Sequence, residues 1–182
     1  MHGKILEFLK PYKEICEGKN VLEVGSLNVN GTARDTLNIT VGVDMQEGKG
    51  VDLVCTGENL PSHFAVEHFD HVVSTDTLEH VRNWRDFLHG IWHVLKKDGL
   101  FICTIASRRK GRHAYPDDYW RLDEELVKKV FYSQEILEMQ PNLGVSFGFV
   151  IRKKGPLIGL SDIHMFPVDG KVPKELLPLD PK

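Results

Sequence analysis

At 182 residues, 41% hydrophobic and 27% charged, the chain has the make-up of one globular domain large enough to bury a core without staples. A net charge of −3 argues against a protein built to wrap nucleic acid, and no apolar run is long enough to span a bilayer. The three cysteines, Cys16, Cys55 and Cys103, are scattered and form no C-x-x-C pair, so neither a disulfide framework nor a thiolate zinc site is expected. Met1-His2-Gly3-Lys4 does not open a signal peptide, so a cytoplasmic location and no membrane partner are expected.

Ile5, Leu6, Phe8, Leu9, Tyr12 and Ile15 recur at helical spacing, which predicts an amphipathic helix over residues 3–16, interrupted or restarted at Pro11. Five short apolar runs follow: Asn20–Val24, Ile39–Val43, Val51–Val54, His71–Ser74 and Leu100–Ile105. They are rich in β-branched residues and end in turn signals, as buried strands do. Between the last two, Trp84, Phe87, Leu88, Ile91, Trp92 and Leu95 form one helical stripe, closed by Lys96-Lys97-Asp98-Gly99. Asp123 caps a further helix to Phe131, with Leu122, Leu126, Val127 and Val130 on its apolar face. Extended runs Ser133–Met139 and Val145–Arg152 flank Pro141-Asn142-Leu143-Gly144, a hairpin signal.

Strands that alternate with helices imply a parallel sheet, and the hairpin adds one antiparallel strand. Residues 1–155 are expected to form this domain. Residues 156–182, rich in proline, read as an extended wrap or loose end rather than a second domain.

In such a sheet, ligands sit at the carboxyl ends of the strands, where the strand order reverses. The first strand ends at Gly25, where a missing Cβ lets backbone N–H groups approach a ligand. The second ends at Asp44, whose carboxylate can accept both hydrogen bonds of a ribose diol; its separation from Gly25 suits a strand–helix–strand unit. The dinucleotide fingerprint G-x-G-x-x-G fails, because Leu27 and Asn30 stand at its second and third glycine positions. A pyrophosphate would lose its cradle, and the closing hairpin is foreign to the simple dinucleotide fold.

Five segments in order resemble the Rossmann-like S-adenosylmethionine-dependent methyltransferases of small-molecule type over about residues 20–152. They are Val21-Leu22-Glu23-Val24-Gly25, Val41-Gly42-Val43-Asp44, Glu58-Asn59-Leu60-Pro61, Phe69–Ser74 with Leu78-Glu79-His80-Val81, and Leu95–Leu100. The resemblance implies a three-layer α/β sandwich around a mostly parallel seven-stranded sheet with one antiparallel strand. It implies S-adenosylmethionine as cofactor, with an acid, Glu23, before the glycine. Gly25 and Ser26 would meet the methionine part and Asp44 the ribose. Glu58, Asn59 and Leu60 would face the adenine edge, Met45 its ring face, and Ser74 and Thr75 would complete the cofactor site. The chain departs from the family where Leu27 and Val29 replace further glycines. Glu23 also reads as a surface carboxylate, Gly25 as a strand end and Met45 as a core residue.

Methyl transfer needs in-line positioning above all, and a base only where the acceptor must lose a proton. His80 suits general-base work or bonds a backbone carbonyl at a helix start; Asp76 reads as base, acceptor-orienting group or cap. The long connection Ser107–Arg121 follows the fifth strand, where this fold builds its acceptor pocket. His113 and Tyr115 are candidates to touch the acceptor, and Arg108, Arg109, Lys110 and Arg112 to hold an anionic group; the basic run alone reads equally as a solvated loop anchored by Tyr119 and Trp120. His89 and His93 stand four apart on a helix, but without a third ligand no metal site is expected. The expected acceptor is a small molecule: a sugar, a phosphorylated metabolite or a natural-product hydroxyl. A silent member that binds a nucleoside or a protein partner is the alternative, and a nucleic-acid methyltransferase a further one that the acidic balance disfavours. A homo-oligomer remains open.

Overall fold

The computed structural model describes residues 3–113 and 117–168. The N-terminal segment is helical, as its spacing predicts: α1 (Gly3–Leu9), a 3-10 turn (Lys10–Tyr12) that accommodates Pro11, and α2 (Lys13–Cys16). Strands β1 (Val21–Val24), β2 (Val41–Asp44), β3 (Leu53–Val54), β4 (Phe69–Thr75), β5 (Leu95–Ala106), β7 (Glu135–Leu143) and β8 (Ser146–Arg152) form one seven-stranded sheet. Its order is β3-β2-β1-β4-β5-β8-β7. The first five strands pair in parallel, and β8 runs antiparallel between β5 and β7.

Side chains alternate across the sheet because successive residues of a strand face opposite ways. Val72, Phe101, Cys103, Phe147 and Phe149 face one core; Val73, Leu100, Ile102 and Val150 face the other. Over the first face lie α3 (Leu60–His63), α4 (Trp84–Val94) and α5 (Glu124–Val130). Trp84, Phe87, Leu88 and Ile91 of α4 are its buried stripe. Asp123 caps α5, its carboxylate accepting from the Leu126 N–H at 3.0 Å. Over the second face lie α1, α2 and a turn at Ala33–Asp35, giving the expected three layers.

Two local expectations need correction. The connection from β1 to β2 contains no helix, only the 3-10 turn Ala33–Asp35, capped by the Thr32 hydroxyl. Asn30, Gly31, Thr36, Asn38 and Thr40 are poor helix formers, and the span is short. The segment Lys96–Gly99 does not close α4 either. The helix stops at Val94, and the segment forms the bulged start of β5. There the left-handed residue is Asp98 (φ 62°), while a Cβ on Gly99 would lie 2.4 Å from the Asp70 carbonyl oxygen. The C-terminal end of α4 is instead met by a buried cation: Lys153 Nζ donates to the carbonyls of Trp92 at 2.9 Å and Leu95 at 2.6 Å.

Residues 156–168 wrap the first face. Leu157, Leu160 and Met165 join its core, and β9 (Phe166–Pro167) pairs with β6 (Trp120–Arg121). Arg85 holds this strap through the carbonyls of Leu160 (2.8 Å) and Ile163 (2.5 Å). Among the described residues no helix is long and apolar enough to cross a membrane.

Candidate functional site

The strand order reverses between β1 and β4, and the turns after β1, β2, β4 and β5 meet at that carboxyl edge. Gly25 sits at φ 84°, in the left-handed region that favours glycine. The space its missing Cβ leaves is filled by protein. A Cβ there would lie 2.0 Å from Thr77 Oγ1, so the glycine accommodates Thr77 rather than opening directly onto a ligand.

Glu23 is buried and is not a surface carboxylate. Its oxygens accept from Thr32 Oγ1 at 3.1 Å and the Ala33 N–H at 3.0 Å, which ties down the turn after Gly25. Burial pushes its carboxyl up to about 7, against the opposing pull of these donors and of Arg34. Glu23 therefore positions the loop; both of its oxygens are engaged by the chain.

Asp44 receives the Leu27 N–H at 3.1 Å on one oxygen and the Gln46 N–H at 3.0 Å on the other. The Gly25 and Ser26 N–H groups reach the Val43 carbonyl, and Asn28 N–H reaches Lys49 O at 2.8 Å. A carboxylate offers about four lone-pair sites, so Asp44, only half-buried, retains acceptors for a diol. Met45 beside it is 64% exposed and not a core residue, leaving an apolar side chain uncovered where an adenine face would lie. The Ser26 hydroxyl is buried without a hydrogen-bond partner among the described residues. These residues fit the nucleoside end of S-adenosylmethionine.

The remaining cofactor candidates divide. Glu58 and Asn59 lie in the turn Gly57–Asn59 and are partly or fully exposed. Leu60 is fully buried in the core and offers no side chain to an adenine edge, because it anchors α3. Ser74 is likewise fully buried; Thr75 is half-buried at the end of β4.

The turn after β4 gathers the candidate transfer residues. Asp76 adopts φ 47° and caps no helix. Its carboxylate accepts from Thr104 Oγ1 at 2.9 Å and Ser146 Oγ at 3.2 Å. Glu79 and His80 belong to the 3-10 turn Leu78–His80. Glu79 is fully buried; one oxygen accepts from the Ala106 N–H at 3.1 Å, the other has no partner among the described residues. Burial, then Asp76, push its carboxyl up to about 8. His80 and His113 face each other, their Nε2 atoms 3.1 Å apart. His80 Nδ1 meets the Asp117 carbonyl at 2.8 Å. His113 Nδ1 lies 2.8 Å from Asp118 Oδ2, off the line of an ideal hydrogen bond. Burial lowers both imidazoles from their ordinary range, His113 further through Lys110.

The loop after β5 is held from within. Asp118 and Arg121 form a buried two-pronged ion pair at 2.5 and 2.6 Å, and Arg121 also reaches the carbonyls of Lys110 and Gly111. Burial alone would raise Asp118, but Arg121 and the His113 N–H outweigh it and hold the carboxyl low. The sequence pointed to His113 but missed this pair; an Asp three residues before an Arg in Asp118-Tyr119-Trp120-Arg121 was the available signal. Trp120 is anchored as expected, its Nε1 donating to Val81 O at 2.8 Å. Arg108 is engaged by Asp123 at 3.3 Å and stacks over the Phe166 ring, so it braces the strap rather than standing free for an anion. Arg109 likewise donates to Pro141 O at 2.7 Å, and Arg112 is exposed. Tyr115 lies outside the described residues. His89 and His93 sit at the opposite end of the sheet, bordering a recess of about 360 Å³ with Lys97, Lys153 and Lys154. Its lining also includes Glu67, but that carboxylate is paired with Lys153 at 3.2 Å, and the lysines outnumber it.

The methyltransferase domain family matches residues 16–103. No curated protein matches the chain in sequence. Among solved structures, it resembles a Burkholderia thailandensis 1,6-didemethyltoxoflavin-N1-methyltransferase with bound 1,6-didemethyltoxoflavin and S-adenosylhomocysteine. That pair shares 16% identity over 81% of this chain and 78% of the other, with a TM-score of 0.61. An Archaeoglobus fulgidus SAM-dependent methyltransferase gives 12% identity, 82% and 93% coverage and a TM-score of 0.60. One from Aquifex aeolicus gives 16%, 80% and 87%, and 0.57. At such identities the structural likeness establishes the Rossmann-like methyltransferase fold.

Proposed function

We infer that this chain, which carries a methyltransferase domain over residues 16–103 in a Rossmann-like fold, is an S-adenosylmethionine-dependent methyltransferase acting on a small molecule. The observation that carries the reading is convergence. The half-buried Asp44, the Gly25–Ser26 turn and the Asp76, His80 and His113 side chains all border one topological switch point. When bound, the cofactor supplies a methyl group on a sulfonium, whose leaving group is a neutral thioether. Asp44 accepts the ribose diol, Met45 covers one adenine face, and Glu58 and Asn59 border its edge. The described parts of the connection after β5, residues 107–113 and 117–121, wall the acceptor side, with the His113 N–H held by Asp118 and Arg112 on the exposed rim. Where the acceptor is a hydroxyl, a neutral His80 or His113 takes its proton at Nε2. A sugar or a phosphorylated metabolite fits a pair of imidazoles with Arg112 at the rim.

The test is transfer of labelled methyl from S-adenosylmethionine across a panel of sugars, phosphorylated metabolites and phenolic hydroxyls. Labelled product supports the reading. One observation favours a silent, nucleoside-binding member: the amides after β1 are satisfied within the chain, and Thr77 fills the space over Gly25. Cofactor binding with no transfer across the panel supports that second reading. No binding of the cofactor refutes both.

A further inference from the structure

We propose that Glu79, His80 and His113 form a binding site for a borderline divalent metal ion of the zinc type at the carboxyl edge of the sheet. A ligand atom from each of the three side chains lies within 4.8 Å of the others. The two imidazoles are aimed at each other, and what holds them fixes their tautomers. His80 Nδ1 meets a backbone carbonyl, which only accepts, so it carries the ring proton. His113 Nδ1 stands 2.8 Å from the Asp118 carboxylate, too close for two bare lone pairs, so it carries the proton there. Each Nε2 then presents a lone pair to the other across 3.1 Å. Two facing lone pairs repel unless a proton or a metal ion lies between them.

The separation suits one. Metal–imidazole bonds of about 2.0–2.1 Å place two nitrogens about 2.9–3.4 Å apart for cis octahedral to tetrahedral angles. Asp118 holds the His113 main chain through its N–H at 3.1 Å and sets a carboxylate beside Nδ1, the kind of outer support a metal-binding imidazole uses. Asp118 is in turn locked by Arg121.

The independent observation is Glu79. It is fully buried, and its second oxygen has no hydrogen-bond partner among the described residues. A carboxylate oxygen of this residue lies within 4.8 Å of a ring nitrogen of each histidine, a two-histidine, one-carboxylate donor set that suits zinc, manganese or iron(II) over calcium. The site lies near the surface, since the His113 side chain is 28% exposed. Three protein ligands leave a position for water, or for an oxygen or nitrogen of the acceptor. That last role rests on the proposed function and replaces the histidine-base step given there, because a bound ion engages both Nε2 lone pairs; the ion site itself does not rest on it.

Cobalt(II) is the probe, because its visible absorption reports nitrogen coordination without any methyl transfer. The wild-type chain is expected to bind one cobalt per molecule, displaced by zinc. His113→Ala and His80→Ala should each weaken binding by about tenfold or more with the far-UV dichroism retained. The His89→Ala/His93→Ala double variant should bind as wild type does. X-ray absorption of the zinc-loaded wild type should show two imidazoles and one carboxylate, which decides the matter even where a variant fails to fold. No stoichiometric binding of cobalt or zinc at millimolar metal would overturn the proposal. So would undiminished binding by folded His80→Ala/His113→Ala, loss of binding in His89→Ala/His93→Ala, or a different ligand shell.

Discussion

Glu23→Gln isolates one buried carboxyl. In the folded chain burial raises Glu23 from its ordinary value of 4.5 to about 7. Between those values the folded state holds a proton that the unfolded state has released, so stability falls as pH rises through that window. At about 1.4 kcal/mol per pKa unit, the span corresponds to roughly 3 kcal/mol lost between pH 4.5 and pH 8. Glutamine cannot ionise, and its amide oxygen still accepts the Ala33 N–H while its NH₂ donates to Thr32 Oγ1. The variant should therefore lose this part of the pH dependence. Its stability relative to wild type should rise by about 3 kcal/mol on going from pH 4.5 to pH 8. Urea unfolding at pH 4.5, 6, 7 and 8, for both proteins, measures the difference directly. A difference that stays constant across the series would refute the assignment of a buried, proton-retaining Glu23.

Gly25→Ala should destabilise by about 2–4 kcal/mol, combining left-handed strain with the clash against Thr77. In a double-mutant cycle, Thr77→Gly, which removes the Thr77 Cβ at 2.8 Å along with its hydroxyl and methyl, should recover the clash component but not the left-handed strain; full recovery would show that φ at Gly25 is unimportant. Asp118→Ala leaves Arg121 buried and unpaired, so denaturant unfolding should show a loss of about 3–5 kcal/mol. Asp118→Asn should be milder, and equal losses would argue that the charge does not matter. Arg85→Ala releases the strap, and hydrogen exchange should accelerate over residues 157–168 while the amides of β1 and β4 stay protected.

The layers were legible because two periods are written into the chain. The three-to-four spacing in Trp84–Val94 and the apolar runs of β1, β4 and β5 reflect elements buried by one or both faces. The β1–β2 connection was less legible. The separation of Gly25 and Asp44 suited a helix, yet a pair of turns pinned by Glu23 and Asn28 fills it. Gly25, Asp44 and the histidines could be singled out because their chemistry is local to a strand end or turn. Long-range partnership could not: Ser146 reaches Asp76 from the hairpin, and Lys153 caps α4 from beyond β8. His80 and His113 were each named, but their meeting depends on how the loop after β5 folds around Arg121. Glu79, part of a matched segment, was not singled out as a site residue because a carboxylate in a polar turn reads as solvated, whereas here it is fully buried and the Tyr119 N–H of the following loop bonds its carbonyl at 2.8 Å.

Isothermal titration of the wild-type chain and of Asp44→Ala with S-adenosylhomocysteine tests the cofactor site most directly. One binding site per chain is expected. Removing Asp44 should weaken binding by about tenfold or more, the loss of charge-assisted hydrogen bonds to a ribose diol. Absence of binding at millimolar ligand, or equal affinity in the two proteins, would contradict the account.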